Sequence, residues 1–190
     1  MSKARRGSRN LITDVEGLKV GQAEDRAARS GVTVILADRL SSAACEACGG
    51  GIGARETDVL RPEGLVGALD ALVFSGGSVY GLGASDGVAA ALGAQGRGFR
   101  LAEVQGVPPS PIVCGAVLFD LSNGGDKGWG ERPPYGELGR EALANVSDSF
   151  QLGGGDTRRC QAFLAPIVAQ GVDGHALGDA QQPGAEVLGI

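Results

Sequence analysis

From Gly17 onward the chain alternates short apolar or β-branched runs with glycine-rich breaks, the pattern of strands joined by tight turns. Leu18-Lys19-Val20, Val32-Thr33-Val34-Ile35-Leu36 and residues 41–48 read as neighbouring strands. Pro62 at a first helical turn, followed by Leu65, Leu69 and Leu72 at spacings of four and three, predicts a short helix over 62–72. Leu72-Val73-Phe74 is then a compact strand that ends in Ser75-Gly76-Gly77-Ser78, and Val79, Leu82, Ala89 and Leu92 mark an alanine-rich helix after it. A second unit of the same kind follows: a buried strand over 112–121, a Gly/Pro-rich loop over 122–135, and a helix over 136–146 carrying Leu138, Ala142 and Leu143. The class predicted is mixed α/β, with no internal repeat.

Beyond Leu152 the texture changes, and Gly153-Gly154-Gly155-Asp156 leads into a tail whose one modest apolar run is 162–168. The chain therefore divides into a single domain over 1–152 and a divergent tail over 153–190, in keeping with a length of 190 residues.

Charge narrows the function. With 17 basic and 22 acidic side chains the net charge is −5, and no basic stripe or aromatic ladder offers a track for phosphates, which argues against nucleic acid. The basic start, with Lys3, Arg5, Arg6 and Arg9, leads into no apolar run, so the expectation is a cytoplasmic protein with no signal peptide and no membrane span. Cys45, Cys48, Cys114 and Cys160 then read as reduced thiols.

The sharpest local feature is Ser75-Gly76-Gly77-Ser78-Val79-Tyr80-Gly81. Its glycines either expose backbone N–H groups to a small polar or anionic ligand at the start of the next helix, or supply positive φ for a tight turn; the residues leave both open. A dinucleotide fingerprint through Gly81-Leu82-Gly83 and Glu103 fits badly, because its third glycine would fall at Asp86 and its glycines lie inside the helical pattern. Cys45-Glu46-Ala47-Cys48 has the gap of a zinc or redox pair, but further ligands are scarce, and two packing residues are the preferred reading. His175 as a catalytic base would sit in the unpatterned tail, and Asp156-Thr157 as a self-cleaving junction competes with a plain glycine-rich loop. Asp120, after Val117-Leu118-Phe119, suits a loop-ordering carboxylate better than a catalytic one, and Arg55-Glu56-Thr57-Asp58 suits a solvated turn.

Taken in order, several segments resemble the L-aminopeptidase/D-esterase family, which includes β-peptidyl aminopeptidases and nylon-oligomer hydrolases. They are Ile12-Thr13-Asp14-Val15-Glu16-Gly17-Leu18-Lys19-Val20-Gly21, Gly31-Val32-Thr33-Val34-Ile35, and Gly53-Ala54-Arg55-Glu56-Thr57-Asp58-Val59-Leu60. The strongest are Leu72-Val73-Phe74-Ser75-Gly76-Gly77-Ser78-Val79-Tyr80-Gly81-Leu82, with Asp86-Gly87-Val88, and Pro111-Ile112-Val113-Cys114-Gly115-Ala116-Val117-Leu118-Phe119-Asp120-Leu121. Leu138-Gly139-Arg140-Glu141-Ala142-Leu143 fits the helix that follows, so the resemblance covers about residues 10–152.

The resemblance implies a self-processing hydrolase, in which cleavage before a Ser or Thr frees an amine that serves as base for the hydroxyl nucleophile. It implies a four-layer α-β-β-α sandwich, incomplete in this chain, a homo-oligomer, and no metal or organic cofactor. Substrates would be short peptides, amino-acid amides or esters, or oligoamides. Ser75, Gly76, Gly77, Ser78, Tyr80, Phe119 and Asp120 are the substrate-pocket candidates, and no residue is identified as catalytic.

Three departures bear on this. After Leu152 the chain reads Gly153-Gly154-Gly155-Asp156-Thr157-Arg158-Arg159-Cys160 in place of the family's glycine loop. Phe119 stands where some members carry a catalytic tyrosine and has no hydroxyl to donate to an oxyanion. Cys48 stands where an arginine often precedes two glycines. The expectation is a truncated or frame-shifted hydrolase, lacking the nucleophile segment and inactive alone; the alternative is a non-catalytic binding or assembly module.

Overall fold

The computed structural model describes residues 7–102 and 104–149. Strands β1 (Leu18–Asp25) and β2 (Ser30–Ser42) form an antiparallel hairpin, in register from Leu18 opposite Ala37 to Asp25 opposite Ser30. A two-residue strand, β3 (Ala54–Arg55), is followed by β4 (Ala68–Ser75), which pairs antiparallel with β2. Helix α1 (Gly83–Ala94) then carries the chain across to β5 (Val113–Val117), parallel to β4, the kind of crossover a parallel pair requires. Helix α2 (Tyr135–Ala144) follows. The sheet order is β1-β2-β4-β5-β3, with β3 antiparallel to β5 at one edge.

Strand alternation divides the core into two faces. Val32 and Val34 of β2, Ala71 and Val73 of β4 and Val113 of β5 meet Ala84, Val88 and Leu92 of α1 and Leu138, Ala142 and Leu143 of α2. Each fully buried Val or Leu there stabilises by about 1.5–3 kcal/mol against exposure. The two helices touch backbone to backbone: a methyl at Gly87 would strike the Gly136 carbonyl, and one at Gly139 the Ala84 carbonyl. The opposite face has its own apolar groups, Val20 and Ile35 with Ile12, Leu72 and Phe74, and Leu60, Leu69, Ile112 and Cys114 beside them. Buried on that face, the Thr33 hydroxyl has no hydrogen-bond partner. Mixed α/β is thus the class observed, and the described residues build one sheet and one helical layer.

A buried ion pair fastens the end of α1 to the sheet. Asp70, only 1% exposed, accepts from Arg97 Nε at 3.0 Å and from the Ile112 amide at 2.9 Å. The Arg97 guanidinium also donates to the Ala37 and Asp70 carbonyls, so the pair together links β2, β4 and the segment before β5.

Two expectations are corrected. Residues 62–72 are not a helix: turns and bends run to 65, and β4 starts at Ala68. Leu65 is exposed, and the amides of Asp70 and Ala71 both donate to the Ile112 carbonyl. That shared acceptor has the form of a bulge, which shifts the period-two alternation and lets Leu69 join Leu72 on one face. The resulting spacing imitates a helix. Residues 41–48 are not a separate strand either, since Ser41 and Ser42 end β2 and residues 43–48 have no regular structure. Cys45 and Cys48 are exposed there, so they are not packing residues.

Candidate active-site rim

β4 and β5 end side by side, Ser75 opposite Val117, and the Leu118 amide donates to the Ser75 carbonyl at 3.0 Å. This juxtaposition brings all seven candidates to one rim at the carboxyl ends of two parallel strands, where ligands of α/β sheets commonly bind. The reason lies in the sequence on each side. Gly77 has φ of 83° and Ser78 φ of 52°, two successive left-handed residues that turn the chain sharply from β4 into the 3-10 turn Ser78–Leu82.

The Gly76, Gly77 and Ser78 amides, the Ser75 hydroxyl and the Asp120 carboxylate are all engaged in hydrogen bonds within the fold. The Gly76 amide donates to the Gly31 carbonyl at 3.0 Å, and the Ser78 amide to the Leu118 carbonyl at 3.0 Å. Gly77 N–H donates to Asp120 Oδ1 at 2.6 Å, while Ser30 Oγ donates to Asp120 Oδ2 at 2.7 Å. Tyr135, fully buried, donates its hydroxyl to Ser30 Oγ at 3.1 Å. Ser75 is buried and donates to the Gly76 carbonyl at 2.9 Å. A side chain on Gly76 would collide with Asp120 and Ser30, and one on Gly77 with the Tyr135 ring. Of the two readings of the glycines, the tight turn is the one the geometry supports: the amides of Gly76, Gly77 and Ser78 are not open to an anion.

Asp120 thus orders the loop, as a carboxylate accepting a backbone N–H and a hydroxyl does well. Tyr80 and Phe119 instead face solvent, and Ser78 is half-buried. Sequence reasoning missed Ser30, which is 90 residues from Asp120 in sequence, and Tyr135, which is 105 residues from Ser30; together they complete the Asp120 network. It missed Trp129 as well, whose ring stands edge-on to Tyr80 at 5.7 Å and to Tyr135 at 5.8 Å. It also missed the zipper that fixes the loop after β5 to the hairpin turn. There Asn123 Nδ2 donates to the Arg29 carbonyl, Lys127 Nζ donates to the Ala28 carbonyl and to Asn123 Oδ1, and the Asp126 amide donates to the Ala27 carbonyl.

Arg55 does not belong to a solvated turn with Asp58. Its guanidinium donates to Asp86 Oδ1 on α1 at 2.6 Å and to the Leu82 carbonyl at 3.3 Å, while Asp58 pairs with Arg61. The bond between them holds the Asp86 carboxyl below its ordinary value and raises Arg55. Cys114 is buried and donates its thiol to the Glu56 carbonyl; burial, with Glu56 and Cys45 nearby, pushes its pKa up to about 11. It is a poor nucleophile at neutral pH. Among the described residues no cluster of three His, Cys, Asp or Glu could hold a metal, and no helix is long and apolar enough to cross a membrane. Glu103, Cys160, His175 and Asp156-Thr157 lie outside the described residues.

The family model for peptidase family S58 matches residues 10–178. The chain belongs to peptidase family S58, the L-aminopeptidase/D-esterase family. Curated relatives include uncharacterized aminopeptidases of Mycobacterium bovis and Mycobacterium tuberculosis, each 46% identical over 152 residues, which is 76% of this chain and 42% of theirs. Another, from Mycobacterium leprae, is 42% identical over 123 residues, 60% of this chain and 33% of its own. The chain therefore spans less than half the length of the curated relatives it matches. A crystal structure of a Pyrococcus horikoshii protein superposes with a TM-score of 0.53 at 18% identity, over 80% of this chain and 45% of that one, and supports the fold.

Proposed function

We propose that the protein is a peptidase of the S58 type that acts on short peptides, amino-acid amides or esters, or oligoamides, with the rim of Ser75, Gly76, Gly77, Ser78, Tyr80, Phe119 and Asp120 forming one wall of its substrate site. The observation that carries this is the convergence of the two segments most like the family, 72–82 and 111–121, at the ends of adjacent parallel strands. Within that wall Ser75, Gly76, Gly77 and Asp120 set the shape, and Ser78, Tyr80 and Phe119 supply the contact. The nucleophile is a Ser or Thr freed by self-cleavage and not Ser75, which is buried and bonded to the Gly76 carbonyl.

Hydrolysis of leucine p-nitroanilide, followed together with amino-terminal sequencing of the same preparation, tests this. The expected result is that p-nitroaniline is released only where a new Ser or Thr amino terminus is found, and that the 190-residue chain without such a terminus releases none. Release with no new terminus overturns the nucleophile assignment; a processed preparation that releases none overturns the peptidase reading. We further propose that the protein assembles as a homo-oligomer, and that a second sheet packs on the face carrying Val20, Ile35, Leu72 and Phe74 to give the four-layer sandwich.

A further inference from the structure

With the rim's amides and carboxylate engaged, its most exposed side chains are large and mainly apolar. Val79 is 64% exposed, Tyr80 47% and Phe119 56%. The bond from the Ser78 amide to the Leu118 carbonyl places Val79 and Phe119 each one residue beyond a direct backbone contact, so both segments bring an apolar residue to the same edge. Tyr80 is not a loose surface ring. It stands at 71° to Trp129, which stands at 83° to Tyr135, and Tyr135 is fully buried in the core between sheet and helices. An exposed ring anchored through two edge-to-face contacts loses little freedom when something settles on it, and aromatic groups give large contact area for few rotamers. Ser78, a non-glycine residue held in the left-handed region, immediately precedes the two exposed side chains.

Resting on the peptidase reading of this rim, we infer that Val79, Tyr80 and Phe119, backed by Trp129, form an apolar subsite that selects substrates whose amino-terminal residue has a large uncharged side chain, aromatic or branched aliphatic. A charged side chain placed there would lose hydration, and the Asp120 oxygens and the amides of Gly76, Gly77 and Ser78 are already bonded within the rim. A methyl side chain would leave most of the aromatic surface wet.

Trp129 is the single tryptophan of the chain, so its emission reports on the subsite directly. The experiment titrates the purified protein with phenylalaninamide, leucinamide, alaninamide and glutamic acid α-amide. The expected result is a saturable change in emission, with an apparent Kd about tenfold lower for the first two, a factor equivalent to ~1.4 kcal/mol. Tyr80→Ala is expected to bring all four within about threefold of one another while Tyr80→Phe keeps the preference, as a stacking surface would. Far-UV circular dichroism checks that both variants fold. Equal affinities for the four amides, or no saturable change with any, overturns the inference. So does emission that shifts with protein concentration alone, in step with mass by light scattering, because the rim is then a face between copies. The peptidase reading fails differently: selective binding persists and a processed preparation releases no p-nitroaniline.

Discussion

Gly77 is the residue on which the rim turns. Its φ of 83° suits glycine, its amide feeds Asp120, and any side chain would enter the space of the Tyr135 ring. Gly77→Ala is therefore expected to cost about 3 kcal/mol or more, since strain and overpacking act together. Tyr135→Phe, which removes only the hydroxyl that bonds Ser30, should cost about 1 kcal/mol. Urea denaturation of the two variants checks both the size and the order. Cys114 gives the second test at this scale. An unfolded thiol titrates near its ordinary value of 9.0, whereas the buried one holds its proton to about 11. Between these values the folded state binds more protons, so this thiol's contribution is complete below pH 9 and falls as pH rises through 11. Stability measured from pH 8 to 11 should decline less steeply in Cys114→Ala than in the unaltered protein.

At the scale of elements, the ion pair of Asp70 and Arg97 joins the end of α1 to β2 and β4 and to the segment before β5. Arg97→Leu leaves a buried carboxylate with no cation and is expected to destabilise by about 3–5 kcal/mol; adding Asp70→Asn should recover part of that. Chemical denaturation of the single and double variants decides, and a single variant within 1 kcal/mol of the original would refute a structural role for the pair. What the sequence showed of these elements follows from range. β1, β2, β4, β5 and both helices were legible because each has a local periodic run, such as Val32 to Leu36 or Leu138, Ala142 and Leu143. The 62–72 helix was misread because the bulge at Asp70 and Ala71 gives a strand helix-like leucine spacing. The rim was half legible. Its glycines and Asp120 stood out by type and resemblance, but Ser30, Trp129 and Tyr135 carry no local signal, and only pairing of the hairpin turn with the loop after β5 makes them neighbours.

For the molecule as a whole, the question is what meets its remaining apolar surface. Away from the rim, Leu101 is 79% exposed, and Val104 and Val107 are exposed with it, on a loop whose ends are closed by paired hydrogen bonds between Phe99 and Ser110. Three large apolar groups on one short, closed loop form the kind of patch that solvent-facing surfaces rarely keep and that interfaces between copies use. If the proposed homo-oligomer forms through this loop, light scattering should give a mass that is a whole multiple of the chain's 19.1 kDa. Leu101→Glu combined with Val107→Glu should then lower that mass toward one copy, because two charges would have to be buried without partners, at a cost far above that of leaving them in water. The same double variant lies outside the rim, so its Trp129 emission and its selectivity among the amides should stay as before. A mass unchanged by the two glutamates would move the contact elsewhere on the surface, and a mass of one copy in the unaltered protein would end the assembly proposal.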